Sequence, residues 1–134
     1  MKVLVVGSGG REHALVWALH RSPQVREIHI TPGNGGTGDL ARNVPIAAED
    51  ISALASYADQ ERFDLVVVGP EVPLALGLGN ALRARGLRVF GPDAKAARIE
   101  SSKVFSKDFM RAHGIPTADY AVFDTYDEAL AYLE

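Results

Sequence analysis

An α/β fold with a mostly parallel sheet and helices on both faces is what this sequence predicts. Three observations carry that expectation. Val3-Leu4-Val5-Val6 and Leu65-Val66-Val67-Val68 are unbroken, mostly β-branched apolar runs, as in strands covered on both faces. Stretches of helical periodicity alternate with such runs. Glycine- and proline-rich turns follow three of the predicted strands.

The elements are read in order as follows. After Val3 to Val6 come glycines and a helix from about Arg11 to Arg21, with Trp17 expected in the core beside Leu15, Ala18 and Leu19. Val25 to Thr31 suits a second strand, and Pro32 to Gly38 a glycine-rich loop. Ile51, Leu54, Ala55 and Ala58 recur at helical spacing. The second buried run leads into a helix from Leu74 to Arg85, with Gly86 as its stop. Arg88 to Phe90 reads as a short strand closed by Gly91-Pro92. Ser101 to His113 is a helix, Tyr120 to Phe123 fits a strand, and Thr125 to Glu128 has capping-box spacing ahead of a last helix. The sequence stops at Glu134 inside that helix, which reads as a chain cut from a longer one.

The composition bounds the function. The 134 residues are 47% hydrophobic and 23% charged, with net charge -3. That charge offers no basic excess to grip a nucleic-acid backbone, so no nucleic-acid partner is expected. No apolar run reaches membrane-spanning length, and no membrane association is expected. Cysteine is absent, which removes disulfides and thiolate metal sites and agrees with a cytoplasmic location.

Right-handed crossovers would bring three turns to the carboxyl edge of the sheet: Gly7 to Glu12, Pro32 to Gly36, and Gly69 to Pro73. In the first, backbone amides and a helix start favour phosphate, and Arg11 adds a bidentate cation. Glu12 either takes a hydrogen from an amine or hydroxyl or caps the helix. Gly7-Ser8-Gly9-Gly10-Arg11-Glu12 also departs from G-x-G-x-x-G at its last position, where a bulky acid would crowd helix against strand. The second strand ends in Ile30-Thr31-Pro32 and lacks a ribose-binding acid. Both departures count against a nicotinamide-binding oxidoreductase domain, the main alternative; a stand-alone nucleotide-binding module is the other. In the second turn Gly33, Gly35, Gly36 and Gly38 allow close backbone approach and Asn34 can donate and accept, but on these residues alone it reads as a mobile surface loop. In the third, Pro70 and Pro73 stiffen the backbone around Glu71, which either holds ribose hydroxyls or an amine or caps the next helix. His13, His20, His29 and His113 show no ligand spacing.

Taken together these stretches resemble the glycinamide ribonucleotide synthetases. Val3 to Ala14 is similar to their opening, Pro32 to Thr37 to their second loop, and Asp64 to Leu74 to their third. Phe90-Gly91-Pro92, Glu100 to Lys107 and Ile115 to Tyr120 continue in the same order. The resemblance implies a biotin-carboxylase-like amino-terminal substrate-binding domain over residues 1–100. Residues 101–134 would then be the truncated start of an ATP-grasp region. It implies a ligase that joins glycine to phosphoribosylamine in purine biosynthesis, using ATP and Mg²⁺ (or Mn²⁺), monomeric as the full enzyme. By the same resemblance Gly9, Gly10, Arg11, Glu12, Gly33, Asn34, Gly69, Pro70 and Glu71 would bind substrate, and Lys103 ATP. Lys107 and Arg111, on the same helical stripe as Lys103, are expected to be solvated. No catalytic or metal-binding residue is expected in this segment, which alone would be inactive.

Overall fold

The computed structural model describes residues 1–134. Five strands form one sheet: β1 (Lys2–Gly7), β2 (Glu27–Pro32), β3 (Arg42–Asn43), β4 (Leu65–Val68) and β5 (Val89–Phe90). Their order is β3-β2-β1-β4-β5, and every pairing is parallel. The central strand β1 aligns Val3 with Ile28 on one side and with Leu65 on the other. Between the strands run α1 (Gly10–His20), α2 (Ile51–Gln60), α3 (Glu71–Ala75) and α4 (Leu78–Ala84). After β5 come α5 (Ala94–Ser101), α6 (Lys103–Ala112) and α7 (Tyr126–Leu133).

The period of two along β1 divides the core into two layers. Leu4 and Val6 face Leu54, Ala55 and Ala58 of α2 and Leu78 and Leu82 of α4. Val3 and Val5 pack on the opposite face with Val16 of α1 and Ile28 and Ile30 of β2. Covering on both faces is why these strands carry no polar alternation. Trp17 is not core: it is 52% exposed, and the Arg21 guanidinium lies 4.5 Å from its ring centre. Val16 is the one apolar residue of α1 that is fully buried, so the buried stripe of this helix is narrow.

The predicted helix from Leu74 to Arg85 is two helices. Gly77, at φ 92°, separates α3 from α4, since a left-handed residue cannot continue a right-handed helix. No strand forms at Tyr120 to Phe123. A strand needs a hydrogen-bonded neighbour, and all five strands lie before residue 91.

The chain divides into two compact units, Met1–Ala97 and Arg98–Glu134. In the second, α6 and α7 bury no residue. Lys107 and Arg111 are not simply solvated. Lys107 Nζ donates to Thr117 Oγ1 (2.7 Å) and to the Ala118 carbonyl (2.9 Å), and the Arg111 guanidinium lies 4.2 Å from the Tyr120 ring centre. Together they hold residues 117–120 against α6.

The amino end of the sheet carries an ion cluster. Lys2 Nζ lies 2.5 Å from Glu61 Oε2 and 3.3 Å from Glu27 Oε1. Buried His29 bridges Glu27 Oε1 (2.8 Å) and the Tyr57 hydroxyl (2.7 Å). The hydrogen bond from Lys2 holds Glu61 below its ordinary value of 4.5, and the one from His29 does the same for Glu27. The backbone N–H of Lys2 depresses Asp64, and the Glu61 bond raises Lys2 above 10.5. Depressed carboxylates stabilise the fold above their unfolded values, and that contribution is lost as pH falls through the folded ones. A raised lysine stabilises below 10.5 and loses the contribution as pH rises through its folded value. Melting temperature should therefore fall as pH drops below about 4.5. Lys2→Met should flatten that fall in melts recorded from pH 3 to 7, and an unchanged slope would remove Lys2 from it.

Candidate functional site

All three turns meet at the carboxyl edge. The Gly33 N–H donates to the Gly7 carbonyl (3.2 Å), and Asn34 Nδ2 donates to the Ser8 carbonyl (2.9 Å), tying the second turn to the first. The Gly69 N–H donates to the Val6 carbonyl (3.0 Å), placing the third turn on the other side of the first. Across that gap Arg11 Nη2 stands 4.0 Å from Glu71 Oε2. Arg11 and Glu71 are both solvent-accessible, with side chains 56% and 36% exposed.

The first turn leads straight into α1. The amides of Gly10 and Arg11 occupy its first turn, where no intrahelical acceptor exists, and point with the positive end of the helix dipole. A Cβ on Gly10 would meet nothing within 4 Å, so no side chain crowds the Cα of Gly10. The Gly9 amide is not available: it donates to Glu12 Oε2 at 2.8 Å.

Glu12 does not crowd helix against strand. Its side chain is 5% exposed and fills a recess that two strand-end glycines leave open. A Cβ on Gly7 would lie 2.4 Å from Glu12 Cγ, and one on Gly69 would lie 2.1 Å from Glu12 Oε1. The third position of the glycine signature is thus exchanged. The helix carries the bulk, and the neighbouring strand ends supply the room.

The second turn is ordered by its own hydrogen bonds, not loose. Asn34 Oδ1 accepts from the amides of Gly36 (2.9 Å) and Thr37 (3.1 Å). Buried Thr37 Oγ1 accepts from the Asn34 amide (2.8 Å) and donates to Asn43 Oδ1 (2.8 Å). Asn43 Nδ2 closes the ring on the Asn34 carbonyl (2.9 Å). The Asn34 side chain is therefore spent on the architecture of the turns. His13, given no role from sequence, lies against this turn: a Cβ on Gly36 would be 2.5 Å from its Cε1.

In the third turn Pro70 caps α3 with extended backbone, and Glu71 and Pro73 enter its first turn, where proline needs no N–H. Buried Thr31, standing where a ribose-binding acid was sought, donates to the Ile46 carbonyl (2.6 Å) and is structural.

Lys103 belongs to the second unit, at the start of α6. With Lys107, Val104, Tyr120, Ala121 and Val122 it lines a cavity of about 200 Å³. Its ammonium makes no hydrogen bond or ion pair, unlike that of Lys107. No group of three or more His, Asp or Glu side chains converges as a metal site anywhere in the chain.

This parallel sheet, with helices on both faces and three turns gathered at its carboxyl edge, defines an α/β domain whose fold is shared with biotin carboxylases. The biotin carboxylase domain of a single-chain bacterial carboxylase superposes with a TM-score of 0.71 over 99% of this chain and 34% of its own, at 16% identity, a likeness of fold alone. Residues 1–100 match the family described as phosphoribosylglycinamide synthetase, N domain, and the chain belongs to that family. The phosphoribosylamine–glycine ligase of Xanthomonas campestris pv. campestris is 55% identical over 135 residues, spanning 99% of this chain and 31% of that protein. The crystal structure of phosphoribosylamine–glycine ligase from Thermotoga maritima matches with a TM-score of 0.72 and 34% identity, over 99% of this chain and 30% of its own. The chain thus spans about a third of the length of the curated relatives it matches.

Proposed function

We propose that this chain is the amino-terminal part of an ATP-dependent carbon–nitrogen ligase of purine biosynthesis. The ligase joins glycine to phosphoribosylamine, releasing ADP and phosphate, and the three turns hold the ribose-phosphate part of that substrate. The observation that carries the reading is the meeting of Arg11 and Glu71, 4.0 Å apart, beside the first-turn amides of α1. Amides at a helix start and a guanidinium suit a phosphate. Carboxylates suit the hydroxyls or amine of the attached sugar. In this assignment the Gly10 and Arg11 amides and the Arg11 side chain face phosphate, while Glu71, stiffened by Pro70, faces the sugar. Gly9, Glu12, Gly33, Asn34 and Gly69 shape the walls. The names of the relatives suggest the substrates, and the meeting of the three turns supports a site for one of them.

Residues from about 101 onward begin the ATP-grasp region, where Lys103, lining a cavity of about 200 Å³, would hold ATP phosphates. Mg²⁺ or Mn²⁺ would be held mainly by residues outside this chain; within it no three His, Asp or Glu side chains are grouped so as to hold a metal ion. ATP activates the glycine carboxylate when bound, and this segment contributes orientation of the acceptor. The full enzyme acts as a cytoplasmic monomer on small molecules.

Calorimetry of the chain with glycinamide ribonucleotide tests the site. Losing a charge-assisted contact of about 1.5 kcal/mol should weaken binding roughly tenfold in Arg11→Ala. Equal binding by both proteins would take Arg11 out of the site.

A further inference from the structure

Glu12 is oddly placed for a residue that only caps a helix. One oxygen, Oε2, takes the Gly9 N–H. The other, Oε1, is buried and receives no hydrogen bond. Its nearest cation is Arg11 Nε at 3.2 Å, in ion-pair contact but off the line that a hydrogen bond requires. A buried acceptor left without a donor is costly, and a charged one more so. Capping does not call for that charge, since glutamine would accept from the same amide. The far end of the same guanidinium stands 4.0 Å from Glu71. Arg11 is therefore suspended between a buried carboxylate fixed by two glycines and a solvent-accessible one on the third turn.

We propose that Glu12 is a positioning residue whose buried charge aims the Arg11 guanidinium across the mouth between the first and third turns. A phosphate-bearing sugar then meets a cation whose direction is already set. Pre-orientation lowers the ordering cost of binding, and a planar guanidinium profits from it more than a flexible ammonium would. Glu12 itself does not touch the ligand. The ligand side of this inference rests on the ribose-phosphate reading above; the geometry of the Glu12–Arg11 pair does not.

Two measurements on the 134-residue chain test it. The first uses the Nε–H resonance of Arg11 by NMR. It should be resolved and slow to exchange in the wild type, and should collapse into the exposed-arginine envelope in Glu12→Gln. Glutamine keeps the volume and the Gly9 bond, so a residue with a merely structural role would leave that resonance in place. An unchanged resonance overturns the proposal. The second is a double-mutant cycle on ribose 5-phosphate affinity. Glu12→Gln and Arg11→Gln should each weaken binding about five- to tenfold, and the double variant should be no weaker than Arg11→Gln alone. Additive losses overturn the proposal. If the wild type does not bind ribose 5-phosphate at all, the substrate reading fails for this segment, and the resonance alone decides the role of Glu12.

Discussion

Gly7→Ala is expected to destabilise the first unit by about 3 kcal/mol, and Gly69→Ala by about 1–2 kcal/mol, as overpacking and backbone strain dictate. The two variants share one cause and differ in another. Either new methyl group would invade the space of the Glu12 side chain, at 2.4 Å from Cγ or 2.1 Å from Oε1. The side chain can leave only by giving up the Gly9 N–H it accepts. Gly7 also sits at φ +133°, a region that side chains rarely adopt, whereas Gly69 needs no special backbone. A third change separates the two effects. Glu12→Ala removes every atom that either methyl would strike. In that background Gly69→Ala should become nearly neutral, within about 0.5 kcal/mol, while Gly7→Ala should keep about 1–2 kcal/mol of backbone strain. Urea unfolding followed by circular dichroism measures all of this. Additive effects of Gly69→Ala and Glu12→Ala would mean that the glycine does not make room for the acid.

The same residues show where a linear reading succeeds and where it stops. Val3 to Val6 and Leu65 to Val68 were legible because a strand covered on both faces has no polar alternation. The convergence of the three turns followed from the parallel order alone, and Arg11 and Glu71 do meet. Glu12 was misjudged because its room comes from Gly69, a residue far downstream and on another strand. Nothing near position 12 records that space. Trp17 was placed in the core from its apolar neighbours, yet α1 buries little beyond Val16 and Glu12 on that surface. The strand β3, two polar residues paired to His29 and Ile30, has no hydrophobic signature; its pairing is set by the turn before it. Lys107 and Arg111 were read as a solvated stripe because the chain that folds back over them comes later in sequence.

The second turn gives the sharper lesson, because glycine content alone suggested mobility. The signal against it was Thr37, three residues after Asn34, a spacing at which asparagine and threonine side chains can close turns on their own backbone. Thr37→Val keeps the shape of a fully buried side chain and deletes its hydroxyl. That leaves the Asn34 amide without its acceptor and Asn43 Oδ1 without its donor. Asn34 is half-buried and Asn43 exposed, so water can replace part of what is lost and the cost should be about 1–2 kcal/mol. The loss should be local first. Hydrogen exchange at the Asn34 amide should quicken at least tenfold, while amides of β1 and β4 should change only as far as global stability does. Thr37→Ser, which retains the hydroxyl, should hold the exchange rate near the wild-type value. Because Asn34 Nδ2 also donates to the Ser8 carbonyl, loosening the ring should spread to the first turn and reach the first amides of α1. A Thr37→Val protein with unaltered exchange at Asn34 would show that the hydrogen-bonded ring does not hold the turn, and the order seen there would need another cause.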